Sequence, residues 1–172
     1  MSINRLCIGA NDSWFPTNNK FNPSVPVDEY RENLIEIIEF LLNSGLTKDR
    51  LLLITPPTII SEDWNKFCRQ NFKDSIVEKT PEHTKKYVDT MLDVAEQMNI
   101  KCFDAFELTS KVEHYSKAFF DGLHLSKYGG DLFYELIKDD VERCVRMFRN
   151  TDLENMPNCD DIDYNNLDNF FD

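Results

Sequence analysis

Leu51-Leu52-Leu53-Ile54, followed by Thr55-Pro56-Pro57, is a run of four apolar residues that stops at two prolines. Apolarity that is continuous rather than alternating suits a strand covered on both faces, as in a parallel sheet. Upstream, Tyr30, Leu34, Ile37, Ile38, Leu41 and Leu42 recur at spacings of three and four, which gives a helix one apolar face, and Gly45 suits its C-terminal cap. Before that helix, Arg5 to Ile8 reads as a short strand entering the turn Gly9-Ala10-Asn11-Asp12, with a polar, proline-containing loop from Ser13 to Pro26. Downstream, Ser61 to Phe72 reads as a short helix with Trp64, Phe67 and Cys68 inward. Thr80-Pro81 then supplies an N-cap and a first-turn proline for a helix carrying Tyr87, Met91, Val94, Ala95 and Met98. Ile100 to Phe103 is a third strand, Glu107 to Lys117 a polar stretch. Ser126 caps a last helix whose apolar face carries Leu132, Phe133, Leu136, Ile137, Val141, Val145 and Phe148. Strands alternating with helices predict an α/β fold with a parallel sheet.

The 172 residues suit one domain, expected over residues 1–150. From Thr151 to Asp172 there are seven acidic residues and no Lys or Arg, which reads as a mobile acidic tail, with Leu167, Phe170 and Phe171 as an alternative docking end. The net charge of −12 falls to −5 on residues 1–150, with 24 acids against 19 bases. That balance argues against nucleic acid or an anionic membrane as partner, since both call for clustered positive charge. The N-terminus lacks the apolar stretch of a signal peptide, and no run of about 18 apolar residues exists to span a bilayer. The five cysteines, Cys7, Cys68, Cys102, Cys144 and Cys159, form no CxxC pair. They read as reduced thiols of a cytoplasmic protein.

Two stretches carry candidate chemistry. Gly9-Ala10-Asn11-Asp12 directly after a strand sits where ligands bind in open α/β sheets, at the C-terminal strand ends. The Asn11 amide there is either an oxyanion donor or part of a simple turn. In Asp121-Gly122-Leu123-His124-Leu125-Ser126, a carboxylate three residues before an imidazole can accept the Nδ1 proton and leave Nε2 as a base. The alternative is a surface loop in which the two act separately. Trp14-Phe15-Pro16 reads as the wall of an acyl pocket or as a hydrophobic lid contact.

Taken together, the two stretches resemble the third and fifth conserved blocks of the SGNH (GDSL-type) ester hydrolases. Val25 to Ile38 and Leu51 to Pro57 are similar to the branch typified by isoamyl acetate-hydrolysing esterases, and the resemblance runs from Leu6 to Arg149. It implies a flavodoxin-like three-layer α/β/α sandwich, Asn11 as oxyanion donor, Asp121 and His124 as triad acid and base, Trp14 and Phe15 as substrate-binding candidates, a small acyl-alcohol ester as substrate, and no metal or organic cofactor. The family also has a Gly-Asp-Ser block with the nucleophile and a second block with an oxyanion-hole glycine. Both precede the Asn block, whereas here eight residues precede Gly9 and no Gly-Asp-Ser occurs. Ser2 and Ser13 are the nearest serines, neither in a matching setting. The expectation is an N-terminally truncated form with little or no activity by itself: either a shortened product of a full esterase, or a short protein with a non-catalytic, interaction role. The strand from Arg5 to Ile8 would then present an open edge, covered by a partner strand, by a dimer, or by the tail.

Overall fold

Leu51, Leu52, Leu53 and Ile54 form the middle strand of a three-stranded parallel sheet, and all four are buried. In this computed structural model, residues 4–15, 24–71, 79–111 and 115–148 are described. Strand β1 (Asn4–Cys7) pairs with β2 (Leu51–Ile54) in the register Asn4 to Leu51 and Cys7 to Ile54. Strand β3 (Lys101–Phe103) pairs on the other side, Leu52 opposite Lys101. Among the described residues β1 is therefore an edge strand. The helices are α1 (Val27–Asn43), α2 (Ser61–Asn71), α3 (Pro81–Met98), α4 (Ala105–Lys111) and α5 (Lys127–Phe148).

The two-residue period of a strand sends alternate β2 side chains to opposite faces. Leu51 and Leu53 pack with Tyr30, Leu34 and Ile38 of α1 and with Tyr87, Met91 and Val94 of α3. Leu52 and Ile54 pack with Ala105 of α4, together with Phe103 and Phe133 of α5. Helices thus cover both faces, which makes the three layers α/β/α and explains the unbroken apolar run. Leu34, Ile38, Leu53, Val88, Met91 and Val94 are fully buried, and each such side chain contributes about 1.5–3 kcal/mol of burial.

Local chemistry sets the helix ends. In α1, Asp28 and Glu29 lie in the first turn, where carboxylates oppose the positive end of the helix dipole. Gly45, at φ +94°, closes its C-terminus: Gly45 N donates to Leu42 O at 3.1 Å and Leu46 N to Leu41 O at 3.1 Å, the paired bonds of a Schellman turn. Thr80 caps α3 by accepting from His83 N at 3.2 Å, with Pro81 in the first turn. Ser126 caps α5, its Oγ accepting from Gly129 N at 3.1 Å.

The structure departs from the sequence reading between β3 and α5. The first five residues of the expected polar stretch, Glu107 to Lys111, belong to helix α4. Asp104 starts it, its Oδ1 accepting from Glu107 N at 2.9 Å, while Ala105, Phe106 and Thr109 turn inward. The tail from Thr151 onward, and with it Leu167, Phe170 and Phe171, lies outside the described residues, as do Ser2, Pro16, and the side chains of Leu136, Val141, Val145 and Phe148. Among the described residues no helix is long and apolar enough to cross a membrane.

Candidate active site

The loops after β1 and β2 and the loop before α5 meet at the C-terminal ends of the strands. They enclose a cavity of about 110 Å³ lined by Ala10, Asn11, Pro56, Pro57, Ile59, Lys79, Thr84, Leu123 and His124. Asn11 and His124, 113 positions apart in the numbering, thus line one cavity.

The loop carrying His124 is built around Asp121, which is buried. One carboxylate oxygen, Oδ1, accepts from Leu123 N at 2.9 Å and from His124 N at 2.8 Å. The other, Oδ2, lies 2.7 Å from His124 Nδ1. An ionised carboxylate only accepts, so Nδ1 carries a proton and donates it, and in the neutral imidazole Nε2 is then the bare nitrogen. Burial pushes the Asp121 carboxyl up, but the hydrogen bonds from the His124 ring and the two backbone N–H groups outweigh it and hold the group below its ordinary value. Phe120 N donates to His124 O at 2.9 Å and Ser126 N to Ala118 O at 2.8 Å, which ties both ends of the loop. Gly122 pins it to α2: its carbonyl accepts from Ile60 N at 2.8 Å. Its φ is +93°, and a Cβ there would lie 2.6 Å from Ile60 O and Trp64 N, so glycine is required on two counts. The Trp64 ring meets the His124 ring edge-on, centroids 6.0 Å apart.

The turn carrying Asn11 is closed by Asp12, whose Oδ2 accepts from Gly9 N at 3.0 Å, and by Ser13 N donating to Gly9 O at 3.1 Å. Asn11 itself is exposed. Ser13 is fully buried; its hydroxyl donates to Ala10 O at 3.1 Å and lies 3.3 Å from Thr84 Oγ1. Among the described residues the hydrogen bond of the His124 ring is the one to Asp121, and no serine shares it.

Trp14 and Phe15, read as substrate-binding candidates, are not among the lining residues. Trp14 packs beside Ile59, Trp64 and Cys68, and Phe15 stacks on His83 with ring centroids 4.2 Å apart. The residue that the sequence reading missed is Lys79. It is only 2% exposed, its Nζ donates to Ala10 O and lies 3.5 Å from Ser13 Oγ, and it sits 5.7 Å from the Trp14 ring centroid. Burial pulls its ammonium down to about 8, against the opposing pull of Asp12. A lysine one residue before a helix cap carries no sequence signal for burial.

Comparison with known proteins bears on the family and the fold. The GDSL-like Lipase/Acylhydrolase family model matches residues 5–137. The chain is 33% identical over 133 residues to the isoamyl acetate-hydrolyzing esterase 1 homolog of Rattus norvegicus, covering 76% of this chain and 52% of that protein. It is 30% identical over 128 residues to a GDSL esterase/lipase of Arabidopsis thaliana, covering 74% and 53% respectively. The chain therefore spans about half the length of the curated relatives it matches. The crystal structure of the lipase/acylhydrolase from Enterococcus faecalis superposes with a TM-score of 0.62 at 24% identity, over 81% of this chain and 60% of that one, a likeness of fold.

Proposed function

The chain belongs to the GDSL-like Lipase/Acylhydrolase family, and on that premise we propose that it serves the hydrolysis of a carboxylic ester, with a small acyl-alcohol ester as substrate. The observation that carries the proposal is the Asp121–His124 pair at 2.7 Å, with Asn11 lining the same cavity as His124. A serine hydroxyl adds to the ester carbonyl and His124 Nε2 takes its proton. Asp121 keeps the imidazole in the tautomer that makes this transfer, and its charge stabilises the imidazolium that results. Asn11 donates to the oxyanion of the tetrahedral intermediate. His124 returns the proton to the leaving alcohol, and water then releases the acid from the acyl-serine by the same base. Several of the chain's relatives carry the name isoamyl acetate-hydrolyzing esterase 1 homolog, and the small volume of the cavity, well below the roughly 300–1,000 Å³ of sites for drug-sized ligands, supports a short acyl group.

Residues 1–172 contain no Gly-Asp-Ser triplet. We assign them the acid, base and oxyanion share of the reaction, the serine coming from a Gly-Asp-Ser strand segment seated beside β1. The test is hydrolysis of p-nitrophenyl butyrate. The 172-residue chain alone gives no rate above its His124→Ala variant; joined to such a segment it gives a rate that His124→Ala abolishes. Turnover by the chain alone that depends on His124 would place the nucleophile within these residues, and fluorophosphonate labelling would locate it. A joined protein whose rate is indifferent to His124 would overturn the reading.

A further inference from the structure

Lys79 is a buried cation with neutral partners. Its ammonium has three N–H donors. One goes to the Ala10 carbonyl and one reaches the Ser13 hydroxyl at 3.5 Å, and among the described residues no carboxylate forms an ion pair with it. Buried charges are ordinarily paired. Asp12 acts on Lys79 from a distance, while its own carboxylate accepts from Gly9 N. Lys79 nevertheless lines the cavity that holds Asn11 and His124. Thr84, on the first turn of α3, lines it too, so the positive end of an 18-residue helix lies at the same wall. The other walls, Pro56, Pro57, Ile59 and Leu123, are apolar.

We propose that Lys79 makes this cavity a binding site for a small monocarboxylate, with the carboxylate head at the third Lys79 donor and a short aliphatic tail against Pro57, Ile59 and Leu123. The identification of that ligand as the acid released by ester hydrolysis rests on the proposed function; the carboxylate site itself does not. Lys79 also donates to the Ala10 carbonyl, next to Asn11 in the chain. It favours negative charge on the ligand over a neutral isostere of the same shape. The titratable groups around it are Asp12 after β1, His83 on α3 and, lining the same cavity, His124 with its partner Asp121. Burial, Lys86 and Lys79 keep His83 below its ordinary value, so it is neutral above pH 7. Carboxylate probes stay ionised throughout, and Lys79 loses its proton near pH 8.

The experiment is a titration of the 172-residue chain with butyrate and with butyramide, followed by the amide signals of Asn11 and His124 in ¹⁵N-correlated NMR spectra. It needs no turnover, so its outcome is independent of whether the ester-hydrolase assay succeeds. Butyrate is expected to bind, with butyramide at least tenfold weaker, and its affinity to fall more than tenfold between pH 7 and pH 9.5. In Lys79→Met at pH 7, butyrate binding is expected to weaken at least tenfold. The wild-type pH series and the amide comparison stand even if that variant does not fold. Equal binding of acid and amide, an affinity unchanged across pH 8, a folded Lys79→Met that binds as well as wild type, or no response to butyrate would each overturn the proposal.

Discussion

Lys79 makes a quantitative prediction about stability. Its value falls from 10.5 in the free side chain to about 8 in the fold, chiefly by burial, and the side chain is 2% exposed. Between these values the unfolded chain holds the proton more tightly than the folded one, so Lys79 makes stability rise with pH. At about 1.4 kcal/mol for each pH unit, the contribution from pH 7 to pH 9.5 is roughly 2 kcal/mol. Other groups oppose it. Cys102 is pushed up to about 12 by burial and Asp104, and burial also raises Tyr30 and Tyr87, so these lose stability as the unfolded chain ionises. Comparing wild type with Lys79→Met removes them, because they are common to both proteins. In urea denaturation the stability of wild type relative to Lys79→Met should therefore improve by about 2 kcal/mol from pH 7 to pH 9.5. With slopes of about 1–3 kcal/mol per molar for small domains, that is a relative midpoint shift on the order of 1 M. A difference that stays flat, or that moves against wild type, would refute the buried cation.

Gly122→Ala should destabilise the fold by at least about 1–3 kcal/mol from backbone strain alone, with further loss from the clash against Ile60 and Trp64; thermal melts check it. Thr80→Ala should cost roughly 0.5–2 kcal/mol through the lost cap of α3, read in the same melts. Asp121 is held below its ordinary value, so its contribution is full above about pH 4 and lost as pH falls through the lowered folded value. The stability gap between wild type and Asp121→Asn should accordingly narrow in acid, as followed by circular dichroism at a series of pH values.

What could be read from the sequence was local. The run Leu51–Ile54 marks a strand covered on both faces because each neighbour along it faces a different helix layer. Thr80-Pro81 and Ser126 mark helix starts because a cap acts within three residues. The Asp121–His124 pair was legible for the same reason, being closed within one loop. Helix α4 was not, since three inward residues among seven set no clear period. Nor was Lys79, whose burial depends on the Ala10 carbonyl 69 positions away. The contact of Trp64 with His124 likewise follows from the packing of α2 against the last loop, which Gly122 makes close.

The central claim is that Asp121 holds His124 as a base, and the ring nitrogens of His124 report it directly. In ¹⁵N NMR spectra of the 172-residue chain at mildly alkaline pH, Nδ1 should carry the proton and Nε2 should be bare, and Asp121→Asn should change that distribution. A His124 ring protonated at Nε2, or one indifferent to the loss of the Asp121 charge, would contradict the account.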